Sequence, residues 1–229
     1  MGKETLMNEI IEQEVQTLVK SLKSNRFDPV EYAEKAADAA KMLLDMIPPE
    51  AKVGFGGSTS LMQLGVIDEL MKRGQLTRSR PDIYLTGSNA VTLDGKLVNT
   101  DMTGNRVTSM IFGPKQVIVV AGLNKVVKDV PSALDRIKNV IAPNIAKNAG
   151  LKTPCTVEGK CTDCKSPMRV CTVTAIIEAK PRMTQISIIL VGEDLGLGWN
   201  PDWKEDRKDT ILSVFKEKWV QLASARQSG

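Results

Sequence analysis

The sequence predicts an α/β fold, a largely parallel sheet with flanking helices. Two observations carry that prediction. From Ala51 onward, short apolar runs alternate with helix-length stretches, the order that successive strand–helix units produce. The runs are also apolar throughout, as in Val117-Ile118-Val119-Val120-Ala121, which is what strands covered on both faces require.

Residues 4–24 read as the first helix, because Leu6, Ile10, Ile11, Val15, Leu18, Val19 and Leu22 recur at three- and four-residue intervals. Residues 29–47 read as a second, with Asp28 as N-cap, Pro29 in the first turn and Pro48-Pro49 as its stop. Such apolar stripes serve packing or self-association, so a homo-oligomer is compatible with them. Strands are then expected at 51–55, 82–87, 96–100 and 116–122, and helices at 59–73, 104–112 and 131–147. Two long apolar runs at 172–179 and 185–191, split by Lys180-Pro181-Arg182-Met183-Thr184, read as an antiparallel hairpin closing the sheet. After Trp199-Asn200-Pro201-Asp202, a helical tail carries Ile211, Val214, Phe215, Trp219 and Leu222 as a docking stripe. The expected organisation is one domain over 1–229: N-terminal helices to 47, an α/β core over 48–195, and a C-terminal helical tail over 196–229.

At 229 residues, 42% hydrophobic and 25% charged, the composition is that of an ordinary globular protein with a substantial core. The net charge of +4 is small, its signs are interspersed and few aromatics are available for stacking, so nucleic acid is not an expected partner. The longest apolar runs are strand-sized, so no membrane span is expected. The first residues are broken by Glu4, Glu9 and Glu12, unlike a secretory or transit segment. Leu6 stands where a myristoylation signal needs Ser or Thr. A cytoplasmic location is the expectation.

Candidate binding residues begin in the loop after the first core strand. Gly54, Gly56 and Gly57 lead into Ser58, Thr59 and Ser60 at a helix start. Glycines let backbone approach a ligand closely, and a helix N-terminus offers free amides to a phosphate or carboxylate. The loop lacks the lysine of a P-loop and, at Thr59, a glycine of the dinucleotide fingerprint. A tight turn capped by Ser58 is the simpler alternative.

A second constellation follows. Asp94-Gly95 is a hairpin turn signal, and the returning strand places Leu97, Asn99 and Asp101 on one face. With Asn89, Asn105 and Arg106 these side chains offer donors, an acid and a fixed cation to a hydroxy acid or sugar phosphate, Arg106 gripping a carboxylate. Equally, Asp101 or Thr103 caps the next helix, Asp101 pairs with Arg106 and the asparagines satisfy turns. Lys125 lies just past strand 116–122, as Glu193 and Asp194 do past strand 185–191. Strand carboxyl ends are where α/β ligands bind.

The four cysteines of the chain crowd into one stretch, Cys155, Cys161, Cys164 and Cys171, spaced C-x5-C-x2-C-x6-C. Thiols so close in sequence converge on one metal with little loop-closure cost, and C-x2-C is a usual metal-binding turn. Lys152, Lys160, Lys165 and Arg169 outnumber Glu158 and Asp163 there, offsetting a tetrathiolate charge. With a single C-x2-C turn and no histidine, the pattern departs from common structural zinc sites. It also departs from the bacterial ferredoxin run. The expectation is a four-iron four-sulfur cluster in preference to zinc; a disulfide or redox pair, or four unrelated inert thiols, are the simpler alternatives.

Taken together, GFGGSTS, SNAVTLDGKLVNTDMTGNRV, IFGPKQVIVVAGLNKVV, PCTVEGKCTDCKSPMRVC and ILVGEDLG resemble the LUD-domain family of lactate-utilisation proteins across about residues 5–195. The resemblance implies a fold similar to that of ribose-phosphate isomerases, glucosamine-phosphate deaminases and CoA transferases. In that superfamily the loop after the first strand faces the ligand, which supports Gly54, Gly56, Gly57 and Ser58 as ligand contacts. It further implies an accessory role in oxidising lactate or a related organic acid beside iron–sulfur partner proteins, with a small anionic metabolite as ligand. No catalytic residue follows from it. The alternative is a small-molecule isomerase, transferase or sugar-phosphate/CoA binder, with Asp101 as general acid/base and a structural zinc.

Overall fold

The computed structural model describes the backbone of residues 3–228 and the side chains of 12–223. The chain forms α1 (Lys3–Ser24), β1 (Val30–Ala33), α2 (Ala36–Asp45), β2 (Val53–Phe55), α3 (Thr59–Leu64) and α4 (Val66–Lys72). Next come β3 (Ile83–Gly87), β4 (Ala90–Thr92), β5 (Leu97–Asp101), α5 (Asn105–Ile111) and β6 (Gln116–Gly122). A 3₁₀ turn, Leu123–Lys125, leads to β7 (Val126–Val127). Then α6 (Val130–Arg136) passes through a π-helical turn, Ile137–Ile141, into α7 (Ala142–Asn148). Last are α8 (Pro154–Glu158), β8 (Val173–Ile177), β9 (Gln185–Val191) and α9 (Glu205–Ser228).

The strands make two sheets, so the fold is α/β with mixed strand directions. The larger has the order β1-β9-β6-β3-β2 and every neighbouring pair in it is parallel. The smaller has the order β7-β4-β5-β8; β4 pairs parallel with β7, and β5 pairs antiparallel with both β4 and β8. Strand periodicity separates two faces of the larger sheet. Ile118 and Val120 of β6 pack with Leu43 of α2, Leu61 of α3, and Ile67 and Leu70 of α4. Val117 and Val119 pack the other way, against Leu18 and Leu22 of α1 and against Val91 and Leu97 of the smaller sheet. A third cluster joins Ala90 and Val98 to Ala133, Ile137, Ile141 and Phe215. Each fully buried Leu, Ile or Val contributes about 1.5–3 kcal/mol, so these layers fix the strand edges that matter below. Among the described residues, no helix is long and apolar enough to cross a membrane.

Three elements differ from the sequence expectation. The expected helix 29–47 is shorter, because Val30–Ala33 forms the edge strand β1, with Val30 opposite Ile188. Pro29 is tolerated just before an edge strand, and its carbonyl accepts from Ile188 N at 2.9 Å. The expected helix 59–73 is two helices, since Gly65 at φ 70 is left-handed and closes α3. The expected hairpin of 172–179 with 185–191 does not form. β8 joins β5 in the smaller sheet and β9 lies between β1 and β6 in the larger. Their burial explains the split: β9 is buried but for Gln185, whereas β8 buries only Ile177. Of the α1 stripe, Val15, Leu18 and Leu22 are buried; Leu6, Ile10 and Ile11 lie outside the described side chains.

Candidate functional site

Five parallel strands share one carboxyl edge, and the connections leaving that edge meet there. They are residues 56–60 after β2, Ser88 and Asn89 after β3, the Leu123–Lys125 turn after β6, and a strap over 192–198 after β9. What gathers is polar and buried: Ser58, Thr59, Ser60, Thr86, Ser88, Asn89, Asn124 and Lys125.

Lys125 is the centre of this group. It is only 4% exposed, and its Nζ donates to the Leu197 carbonyl of the strap. A Cβ placed on Gly196 would stand 2.6 Å from Ser60 Oγ, 3.2 Å from Thr59 Oγ1 and 3.4 Å from Lys125 Nζ. Two hydroxyls and an amine thus face the space that any side chain at Gly196 would fill, at a residue whose φ of 62 also favours glycine. Asn124 holds the strap in place: its Oδ1 accepts from Leu195 N at 3.0 Å and its Nδ2 donates to Gly198 O at 3.0 Å. Gln63 of α3 adds a bond from Nε2 to Asp194 O at 3.2 Å and accepts from Gly196 N.

The electrostatics are one-sided. Among the described residues, no carboxylate lies within ion-pair distance of Lys125 or of Arg136. Arg136 is 3% exposed. It spends its donors on Asn124 O at 2.8 Å, Val126 O at 3.1 Å and Asn200 Oδ1, leaving Nε without an acceptor. Burial, and then the positive charges of Arg136 and Arg106, push the Lys125 amine down to about 7; Asp194 opposes them. Asp194 is already held by Arg207, at 2.8 and 2.7 Å, and that guanidinium lies 3.6 Å above the Trp203 ring. Beside the strap a crevice of about 810 Å³ is lined by Tyr32, Glu34, Leu123, Glu193 and Trp203, among others.

The glycine loop divides by role. A Cβ on Gly54 would come 2.9 Å from Pro81 Cγ, and one on Gly56 2.9 Å from Tyr84 Oη. Both glycines therefore let the loop lie against its neighbours. Gly57 is exposed. Ser58 caps α3, accepting from Leu61 N at 3.4 Å, and Thr59 reaches the Gly196 corner. With six residues, α3 has few aligned peptides to build a dipole.

Asn89, Asn99, Asp101 and Arg106 do converge, and they bond to one another. Arg106 donates to Asp101 Oδ1 from Nε at 2.9 Å and from Nη2 at 2.6 Å, and also to Asn89 Oδ1 at 2.9 Å and Thr100 O at 2.9 Å. Asp101 Oδ2 accepts from Val107 N at 2.8 Å, tying α5 to β5. Asn99 Oδ1 accepts from Asn89 N at 3.1 Å, while its buried Nδ2 has no acceptor. Asn105 is exposed and accepts from Thr103 Oγ1 at 2.7 Å, away from the others.

The expected iron–sulfur cluster, and zinc as its alternative, are corrected. Among the described residues, no group of three or more Cys, His, Asp or Glu side chains could hold a metal ion. Cys155, Cys161, Cys164 and Cys171 are free and half-buried. They line a hollow of about 10 Å³, room for about one water. The thiols face different partners: Cys155 Sγ lies 3.2 Å from Thr153 Oγ1, Cys161 accepts from Asp163 N at 3.3 Å, and Cys171 from Arg169 Nη2 at 3.5 Å. The residues present do not fit a cluster, and the redox role that rested on one falls with it.

Asn124, Arg136 and the strap residues beyond Asp194 escaped the sequence reading as site residues. Arg136 carried a usable signal: a basic residue at helical spacing from Ala133 and Val140, on the buried face.

A family model described as LUD domain matches residues 15–191. No curated protein matches the chain. A crystal structure of a DUF162 family protein from Deinococcus radiodurans is 14% identical and aligns over 79% of this chain and 98% of that chain, with a TM-score of 0.48.

Proposed function

The chain belongs to the LUD domain family, and we propose that it binds a small anionic metabolite, a carboxylate or phosphate, against Lys125. The observation that carries this reading is a buried ammonium with no carboxylate partner among the described residues. Isolated buried charge is costly, and a bound anion supplies the missing counter-charge. The hydroxyls of Ser58, Thr59 and Ser60 and the orphaned amide of Asn99 are donors, which suits an oxygen-rich ligand. In this reading Gly57 forms the entrance, and Asn89, Asp101 and Arg106 make a rigid wall. We also read the two-sheet architecture as a variant of the fold shared by ribose-phosphate isomerases, glucosamine-phosphate deaminases and CoA transferases. The all-parallel sheet with its site at the carboxyl edge supports this. Four free thiols support a reducing, cytoplasmic setting.

Thermal melts at pH 7 with glycolate, oxalate and inorganic phosphate test the reading. A ligand at about 100 times its Kd adds about 2.7 kcal/mol, or roughly 5–10 °C in Tm for a chain of this size. At least one of these anions is expected to raise Tm in the native protein and to have no effect on Lys125→Met. If all three leave the native protein unmoved, or shift the variant equally, the reading fails.

A further inference from the structure

We propose that Lys125 is a carbonyl-reactive amine, condensing with the aldehyde or ketone group of a small acid held at the carboxyl edge to form an imine. The proposal rests on the anion-site reading, because the neighbouring cations and hydroxyls are what would hold the acid group.

Among the described lysines, Lys125 is the one that is buried. Lys96, Lys138, Lys208 and Lys218, all more exposed, pair with Asp94, Asp163, Glu205 and Glu217. Lys125 is buried, and among the described residues no carboxylate holds its ammonium. A lysine kept for structure gains from an ion pair; desolvation beside other cations is instead how an amine is readied as a nucleophile. Burial and the two guanidiniums of Arg136 and Arg106 hold the amine near pKa 7. About half of it is therefore unprotonated at neutral pH, whereas an exposed lysine, near 10.4, is almost wholly charged. The Leu197 carbonyl oxygen lies against Nζ, in the position that the carbonyl oxygen of a bound acid would take over once the strap gives way. The strap supplying it carries glycines at 196 and 198.

The chemistry balances without an oxidant or metal. The Nζ lone pair attacks the carbonyl carbon and the C=O π pair moves to oxygen, giving a carbinolamine. That oxygen then departs as water with the two hydrogens that left nitrogen, and C=N forms. The hydroxyls of Thr59 and Ser60, which border the amine across Gly196, are placed to donate to the oxygen as it gains charge.

The probe is glyoxylate, the smallest acid bearing an aldehyde, followed by borohydride, which reduces the imine to a stable carboxymethyl-lysine. Peptide mapping after brief labelling at pH 7 is expected to find Lys125 modified at least about tenfold faster than Lys96, given their neutral fractions. Lys125→Met, verified as folded by its melt, should keep only the slow surface labelling. Lys125 labelling should level off above pH 7 while Lys96 labelling keeps rising. Labelling of Lys125 no faster than Lys96 overturns the proposal. Glycolate, the same acid without the carbonyl, separates the two failures. If it still raises Tm through Lys125, the imine alone is wrong; if glycolate, oxalate and phosphate all fail to, the anion site falls as well.

Discussion

The carboxyl-edge site and the cysteine loop are opposite cases of how sequence becomes a site. The first draws on Ser60, Lys125, Arg136 and Leu197, scattered along much of the chain, and brings them together. The second starts with four thiols in one short stretch and gives Cys155, Cys161 and Cys171 separate partners around a hollow of about 10 Å³. The difference lies in what positions each group. Five parallel strands have one carboxyl edge, so side chains leaving it meet whatever their separation in sequence. The cysteines hang on α8 and irregular chain, with a single turn of helix to orient them. Convergence comes from the scaffold rather than from closeness in sequence.

The contrast predicts where damage is greatest. Asp101 and Arg106 are a largely buried pair within the scaffolded region, with side chains 7% and 12% exposed. Asp101→Ala strands the Arg106 guanidinium and frees the Val107 amide, and should cost about 3–5 kcal/mol. Urea denaturation measures this; a loss under about 1 kcal/mol would mean the wall is no firmer than a surface pair.

Lys125→Met comes next, and its effect depends on pH. The folded-state pKa of Lys125, about 7, is below the unfolded value near 10.4. Between these values the unfolded chain binds more protons, so native stability rises with pH through that window and is lost again as pH falls through about 7. The slope amounts to a few kcal/mol, on the order of the pKa difference at 1.36 kcal/mol per unit. Lys125→Met should flatten it, with stability at pH 7 equal to or above native. Unfolding curves at pH 7 and pH 10 decide the matter, and an unchanged slope in the variant would show that the amine is not desolvated. A smaller effect is expected at the proposed entrance. Gly57 is exposed, so Gly57→Leu should leave Tm within about 1–2 °C yet weaken anion binding about tenfold, near 1.4 kcal/mol. A titration that finds native affinity would place the entrance elsewhere.

Much of this could be read in advance, and the failures have physical causes. Continuous apolar runs identified β3, β6 and β9 because burial on both faces leaves no polar alternate. β1 was lost because only four residues form it, and its pairing with β9, distant in sequence, outweighed a helical spacing. Lys125 was legible by its position after a strand. Its burial was not, because the strap that covers it arrives from residues 195–198. Asp101 and Arg106 were legible both as a ligand grip and as a cap with its ion pair. Geometry shows the ion pair and an Asp101 bond to the Val107 amide, while Gly104 occupies the N-cap itself.

The cysteine loop should yield the smallest effects, and these sharpen the comparison most. Its thiols are half-buried and bonded weakly, if at all. Replacing Cys161 or Cys164 by serine should therefore change stability by no more than about 0.5 kcal/mol, as for surface positions without a special contact. Dialysis against a strong chelator should likewise leave Tm and the far-ultraviolet spectrum unchanged. A loop organised by metal would behave otherwise, since metal-binding free energy is folding free energy. A drop of many degrees on chelation, reversed by adding metal back, would mean that a ligand rather than the sheet organises this loop. Both regions would then gather their side chains, one by strands and the other by an ion.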